Sequence, residues 1–540
     1  MPSSESEGIS CQSEILRFAR LCENYGSDCR FASANSTFPR EVRVSGYIPV
    51  MDRQQAVLFP ETLDDYVAAE NPVRVIDAFV QTLEMATLGF ARAIPTDLGR
   101  PGYDPRLLLK LYVYGYLNRV RSSRRLERET QRNVEVMWLL GRARPDYKTI
   151  SDFRAAHATA LPGVFREFTV VCRRLELFGA ELVGIDGSKF RAVNAKDRSF
   201  TPAQLQELLT RIDARVTEYL AQLDAADRAD DATRTSAPAA AVPETIADLE
   251  TRRTEYRTLL TTLEASGATQ VTLTDPESRR MKVKEGVAVC YNAQIAVDAK
   301  HHLLVAADVT NDVTDVHQLS ALALQAKETL AVPEGATMTV IADRGYHNGA
   351  EVARCVAADI TPTVPQPMTS KNARKGLFTK ADFQYLPEQD AYRCPGDAVL
   401  SYHFTATDDG EAQRYYHNFA ACAACPLRAQ CTSTTSPHHG RRIARGPHEA
   451  LLEAMAARLR ADPTSMITRK SLVEHPFGTL KRWDDASYFL VRGLTKVRGE
   501  FSLMALTYNL RRAINVLGVP RVLAALRDGL PRPSATPAHA

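Results

Sequence analysis

The stretch from Glu181 to Pro367 constrains the fold most. Its apolar runs are short, rich in Val, Ile and Ala, and bounded by Gly, Asp, Asn and Pro, the pattern of strands rather than helices. "ELVGIDGSKF", "GVAVCYNAQIAVD" and "HLLVAADVTND" come first. A helix through "VHQLSALALQAKETL" then leads into "ATMTVIADRGY", and a second helix, "NGAEVARCVAAD", into "ITPTVPQP". Strands in succession, then helix and strand in alternation, predict an α/β domain on a mixed sheet. Two runs end in an acid: Asp186 before Gly187, and Asp343 before Arg344 and Gly345. Each reads as a buried strand delivering a carboxylate at its C-terminal end, where functional groups gather in open α/β sheets. An aspartate before glycine is also an ordinary turn signal.

A third acid stands apart in "TRKSLVEHPFGTLKRW". Glu474 lies there among Arg469, Lys470, His475, Lys481 and Arg482, and helical spacing sets Lys470, Glu474 and Lys481 on one face. A solvated helix with a Lys470–Glu474 pair, worth a few tenths of a kcal/mol, is the simpler explanation. The other is chemical. Two strand-end aspartates and a helical glutamate suit two-metal phosphoryl transfer, because Mg²⁺ takes oxygen ligands and keeps several waters. The neighbouring bases would then hold phosphates.

At 540 residues the chain exceeds one hydrophobic core, and three or four units are expected. Its net charge of +3 excludes a bulk electrostatic signature for nucleic acid, so any such signal must be local. No apolar run approaches the roughly 18 to 20 residues of a membrane span. The start, "MPSSESEGIS", lacks the basic and apolar regions of a secretory signal. A cytosolic protein is expected, in which disulfides are rare.

Residues 1–50 read as a poorly ordered leader, with globular sequence opening at Met51. Residues 51–175 read as an all-helical domain. Arg121, Arg125, Arg128 and Arg132 step by four, three and four, which puts them on one helical stripe, and Thr149 with Asp152 suggests a capping box. Helices around a short turn, one with an arginine stripe, resemble a helix-turn-helix DNA-binding arrangement; a bundle with a solvated basic face is the alternative. Within the expected catalytic domain, 176–517, heptad-like spacing predicts an antiparallel helical hairpin inserted over 201–266. Residues 518–540 read as a disordered tail.

A Cys-rich insertion is expected over 370–445. Cys394, Cys422, Cys425 and Cys431 can supply a tetrahedral thiolate site in a zinc-ribbon-like insert, with Cys422 and Cys425 as core pair and His417 as a substitute ligand. A structural Zn²⁺ would stabilise an insert with little core of its own. Cys172, Cys290 and Cys355 lie in apolar runs and are expected in the core, while Cys11, Cys22 and Cys29 fall in the leader.

The order Asp186, Asp343, Glu474 on strand, strand and helix resembles the catalytic domain of bacterial insertion-sequence transposases of the DDE class. "GIDGSKFRA", "YNAQIAVD", "IADRGYHNG" and "VEHPFGTLKRW" are similar to that family's blocks, and "YDPRLLLKLYVYGYLNRVRSSRRLERETQRNVEVMWLL" to its N-terminal domain. The resemblance implies an RNase H-like fold and catalytic acids at Asp186, Asp343 and Glu474, binding two Mg²⁺ (or Mn²⁺) ions. It further implies a lysine partner at Lys481, double-stranded DNA (element ends and target) as substrate, and a homo-oligomer on paired ends in the bacterial cytoplasm, at the nucleoid. Ile467 and Lys470 stand where many relatives have tyrosine and arginine, with Arg469 adjacent. Lysine lacks the bidentate fork of arginine. Arg469, Lys470 and Lys481 are thus expected on the DNA beside the acids. A nuclease that cuts without joining, and a zinc-containing DNA-binding regulator with a decayed centre, remain alternatives.

Overall fold

The computed structural model describes residues 62–94, 102–195, 198–230, 241–267, 269–367, 372–408, 410–434, 436 and 438–527. The leader, Met51, Cys11, Cys22, Cys29 and the tail beyond 527 lie outside the described residues. From Thr62 onward the chain is one compact unit.

Among the described residues six α-helices come first: α1 (Pro72–Thr82), α2 (Pro105–Leu117), α3 (Ser123–Arg132), α4 (Val134–Leu139), α5 (Tyr147–Ala156) and α6 (Leu161–Arg174). Asn71 and Asp104 cap α1 and α2 by accepting the amides of Val73 and Arg106, with Pro72 and Pro105 in the first turn. The capping box expected at Thr149 and Asp152 is not formed. Asp146 caps α5 instead, accepting the amides of Lys148 and Thr149, which leaves Thr149 inside the first turn.

The arginine stripe is also shorter than its spacing predicts. The helix breaks after Leu117, Arg119 turns left-handed at φ 63°, and α3 starts only at Ser123. Arg121 therefore lies off the stripe and is 7% exposed. It donates to the carbonyls of Asp485 (2.8 Å) and Tyr488 (2.9 Å) and stands 3.8 Å from the buried Glu500.

The sheet that follows contains β1 (Leu182–Arg191), then, beyond a short pair β2 (Ser199–Phe200) and β3 (Val271–Thr272), β4 (Arg279–Val283), β5 (Gly286–Asp298), β6 (Leu304–Thr310), β7 (Met338–Ile341) and β8 (Ile360–Thr363). Its order is β6-β5-β1-β7-β8, with β4 also on β5. β1, β5 and β6 pair antiparallel, whereas β7 and β8 run parallel to β1. Helices α7 (Pro202–Asp230) and α8 (Ala241–Ser266) pack together between β2 and β3, around Leu205, Ile212, Leu249 and Leu263. Helices α9 (Leu319–Leu330) and α10 (Gly349–Ala357) carry the parallel crossovers.

Beyond β8 a second antiparallel sheet is ordered β13-β12-β11-β10-β9: β9 (Gln384–Leu386), β10 (Ala391–Arg393), β11 (Val399–Asp408), β12 (Glu411–His417) and β13 (Arg442–Arg445). Its core is small: Phe383, Tyr392, Leu400, Tyr416 and Ile443. Short helices α11 (Phe419–Ala423) and α12 (Arg428–Cys431) join it. The chain ends in α13 (Glu449–Ala461), α14 (Ser465–Gly478), α15 (Leu494–Leu517) and α16 (Val519–Arg527). The disordered tail expected over 518–540 is corrected for Val519–Arg527, which form a helix: Val519, Val522, Leu523 and Leu526 are buried, and α16 packs on α1.

Helix α15 touches α2, α6 and β6 together. It joins the N-terminal helices and the sheet in one continuous core that includes Phe79, Tyr112, Phe168, Phe190, Phe501 and Leu506. Fully burying each such side chain is worth about 1.5–3 kcal/mol. Cys172, Cys290 and Cys355 are buried, as expected.

Candidate active site

Asp186 is not at the end of its strand. β1 continues to Arg191 against β5, so the acid stands mid-strand. Pairing with β7 stops at Gly184 and Ile341. Beyond that point β1 has, among the described residues, no paired strand on this side until Arg191 bridges Tyr488, and Asp343, just past the end of β7, comes up beside Asp186. Arg469 of α14 joins them: its Nη2 is 2.6 Å from Asp186 Oδ1 and 4.0 Å from Asp343 Oδ2. Burial pushes the Asp186 carboxyl up to about 6, with Arg469 opposing and Asp343 adding to the rise. Arg469 is thus tied to the acids, with its side chain 16% exposed.

Helix α14 reaches this position by packing across β1, β5 and β7 with Leu472 and Val473. A Cβ on Gly184 would meet Val473 Cγ1 at 3.1 Å and Leu472 Cβ at 3.3 Å, so glycine there sets the close approach. Glu474 falls outside this buried face. Its side chain is 65% exposed, with Lys470 3.8 Å away and itself exposed. The common face expected for Lys470, Glu474 and Lys481 does not form. After Gly478 the helix widens into a π-turn over Thr479–Trp483, which adds a residue to the turn and rotates Lys481 inward. Lys481 Nζ donates to Ser188 Oγ (2.5 Å) and the Lys189 carbonyl (2.8 Å) and lies over the Phe190 ring. Burial draws its pKa down to about 8.

Behind β1, on the side of Gly187 and Lys189, lies a polar network that sequence reasoning missed. Asp315, in the loop between β6 and α9, accepts from Asn292 Nδ2 (2.6 Å) and Gln294 Nε2 (2.7 Å) through one oxygen, with Lys189 Nζ 3.4 Å away. The buried Tyr346 hydroxyl donates to Gln294 Oε1. No familiar motif marks Asp315; the one sequence signal is the glycine that follows Asp186.

Asp186 and Asp343 bring hard oxygen donors together, a set that suits a divalent cation such as Mg²⁺. Glu474 does not join them, and among the described residues no three His, Cys, Asp or Glu side chains stand close enough to hold one ion. The same holds for the cysteines. Cys394, Cys422, Cys425 and Cys431 line one cavity of about 270 Å³. Burial pushes the Cys431 thiol up, Arg441 opposes, and the other three thiols add to the rise. His417 is stacked between His403 and Phe419, at centroid distances of 3.6 and 3.9 Å, and does not line that cavity.

On the N-terminal helices, Arg125, Arg128 and Arg132 are exposed along α3, although Arg132 is paired with Glu129. Arg124 lies over the exposed Tyr147 ring of α5, with which α3 packs. Among the described residues no helix is long and apolar enough to cross a membrane.

No curated protein matches the chain. The family described as "Transposase domain (DUF772)" matches residues 61–156, from the first described residues through α5. The family described as "Transposase DDE domain" matches residues 393–514, which take in the four cysteines, Arg469, Glu474, Lys481 and most of α15. The two matches together support a DDE-class insertion-sequence transposase.

Proposed function

We propose that this transposase binds the ends of a mobile DNA element and carries out metal-dependent strand cleavage and strand transfer at Asp186, Asp343 and Glu474. The observation that carries the reading is the meeting of Asp186 and Asp343 across the β1–β7 notch, under one guanidinium. A mixed sheet with three antiparallel strands followed by two parallel ones supports an RNase H-like domain. Asp186 and Asp343 would hold the divalent ions, Mg²⁺ or Mn²⁺; such ions activate an attacking oxygen and stabilise a leaving one. Arg469, already between the acids, is suited to meet the scissile phosphate, and Lys481 holds the strand beyond Asp186 through Ser188. Glu474 is the third acid by resemblance. Because it stands apart, the reading requires its side chain and helix end to turn toward the aspartates when DNA and metal are bound. Lys470 beside it, and Arg125, Arg128 and Arg132 on α3, are proposed DNA contacts. The substrate would be duplex DNA at the bacterial nucleoid, bound by a homo-oligomer.

The four cysteines around one cavity support a structural Zn²⁺ in the second sheet's lobe. That lobe has a small core of its own, so a bound ion would contribute directly to its folding.

The test is cleavage of a labelled donor carrying DNA that flanks the gene, with Mg²⁺ or Mn²⁺, by wild type, Asp343→Asn and Glu474→Gln. Nicked and joined products from wild type, lost in both variants, are expected. Products that persist in Glu474→Gln remove that residue from the triad. Cleavage without joining indicates a nuclease, and equal DNA binding with no cleavage by any protein indicates a regulator.

A further inference from the structure

Asp186 and Asp343 are each followed closely by a glycine, and one carboxylate, Asp315, lies near both. A Cβ on Gly187 would lie 2.6 Å from Asp315 Oδ1 and 2.4 Å from Gln294 Nε2. A Cβ on Gly345 would be crowded first by Asp343 Oδ1 at 2.9 Å, with the other oxygen of Asp315, Oδ2, at an ordinary contact distance of 3.7 Å. One carboxylate thus sits against the backbone that follows Asp186 and the backbone that follows Asp343. Its own anchors come from β5. Asn292 and Gln294 pair in register with Lys189 and Gly187 of β1, and both amides donate to Asp315 Oδ1. Gln294 also accepts from Tyr346, next to Gly345. Asp315 therefore ties the loop before α9 to β5, to β1 through Lys189, and, through Gln294, to the turn that carries Asp343.

We propose that Asp315 is a positioning residue of the active centre, fixing from behind the sheet the two backbone segments that present Asp186 and Asp343. It acts through Gln294, Lys189 and Tyr346 and does not itself touch substrate. This rests on the reading of Asp186 and Asp343 as the metal-binding pair. Partners that orient metal ligands typically cost 10–100-fold in metal affinity when removed.

The test is Mn²⁺ binding to the full chain without DNA, measured by electron paramagnetic resonance of free Mn²⁺ and restricted to protein with a native circular dichroism spectrum. Asp315→Ala is expected to weaken Mn²⁺ binding at least about tenfold. Asp315→Asn keeps one acceptor oxygen for the two amides and is expected to recover most of that loss. If Asp315→Ala does not fold, Gln294→Glu serves: it keeps the shape and sets a second carboxylate against Asp315, and it should weaken Mn²⁺ binding similarly. Asp343→Asn is the control for the underlying reading. Wild type and Asp343→Asn binding Mn²⁺ alike would overturn the metal-pair reading. Wild-type binding that Asp343→Asn loses but Asp315→Ala or Gln294→Glu retains would overturn the positioning role alone.

Discussion

Gly187→Ala adds a single methyl at the most crowded point behind the acids. That carbon would stand 2.4 Å from Gln294 Nε2, 2.6 Å from Asp315 Oδ1 and 3.0 Å from the Tyr346 hydroxyl. Contacts so close cannot persist, and each of these atoms is held by the others. Parting Gln294 from Asp315 breaks a hydrogen bond to a charged group, worth about 1.5–3 kcal/mol. Moving β1 away from β5 instead incurs overpacking strain of about 1–3 kcal/mol. Whichever adjustment is made, a loss of roughly 2–3 kcal/mol is expected. Gly184→Ala is the comparison on the same strand. Its methyl meets only aliphatic side-chain carbons of Leu472 and Val473, at 3.1 Å and beyond, and a smaller loss of about 1–2 kcal/mol follows. Urea denaturation followed by circular dichroism reads both. Gly187→Ala within about 0.5 kcal/mol of wild type, or less destabilised than Gly184→Ala, would refute a rigid network behind Asp186.

Arg121→Ala removes a buried guanidinium and the ion-pair partner of Glu500; a loss of about 3–5 kcal/mol in denaturation is expected, with DNA affinity per folded molecule unchanged in a gel-shift titration. Lys481 has its pKa lowered from 10.5 to about 8, so the unfolded chain binds a proton that the folded chain gives up between those values. Wild type should gain stability over Lys481→Met as pH rises through that window, by up to about 3 kcal/mol; parallel denaturation curves at pH 7.5 and 10 check the sign. Purified protein is expected to carry close to one zinc per chain by elemental analysis, and the double variant Cys422→Ser, Cys425→Ser to lose it along with protease resistance of the second sheet's lobe.

The mixed sheet was legible because its strands are short apolar runs with clear breakers, and the alternation after β6 fixes where helices cross. What lay hidden depended on partners far along the chain. "GIDGSKFR" reads as a strand ending in a turn, because its second half is polar; in the structure that half pairs with β5, roughly a hundred positions later, and is held on its other side by Lys481 and the backbone around Tyr488. Arg121 has the spacing of a surface stripe, yet its partners are Asp485, Tyr488 and Glu500, and nothing local reports burial. Lys481 matches the face of Glu474 on an α-helix, but the π-turn changes the count. Asp315 sits in "NDVTD", a loop with no motif. Its one trace in the sequence is Gly187, whose missing side chain makes room for Asp315 and Gln294.

The place of α15 bears on how the protein is made. Helices α2 and α6 find one of their main apolar partners in a segment that begins at Leu494, roughly 320 positions after α6 ends at Arg174. At about 5–20 residues per second, a ribosome needs on the order of 15–60 s to bridge that interval. Throughout that time the nascent N-terminal layer has an apolar face that nothing yet covers. A message broken or terminated before codon 494 therefore yields a fragment with an open core, prone to aggregation and fit for degradation.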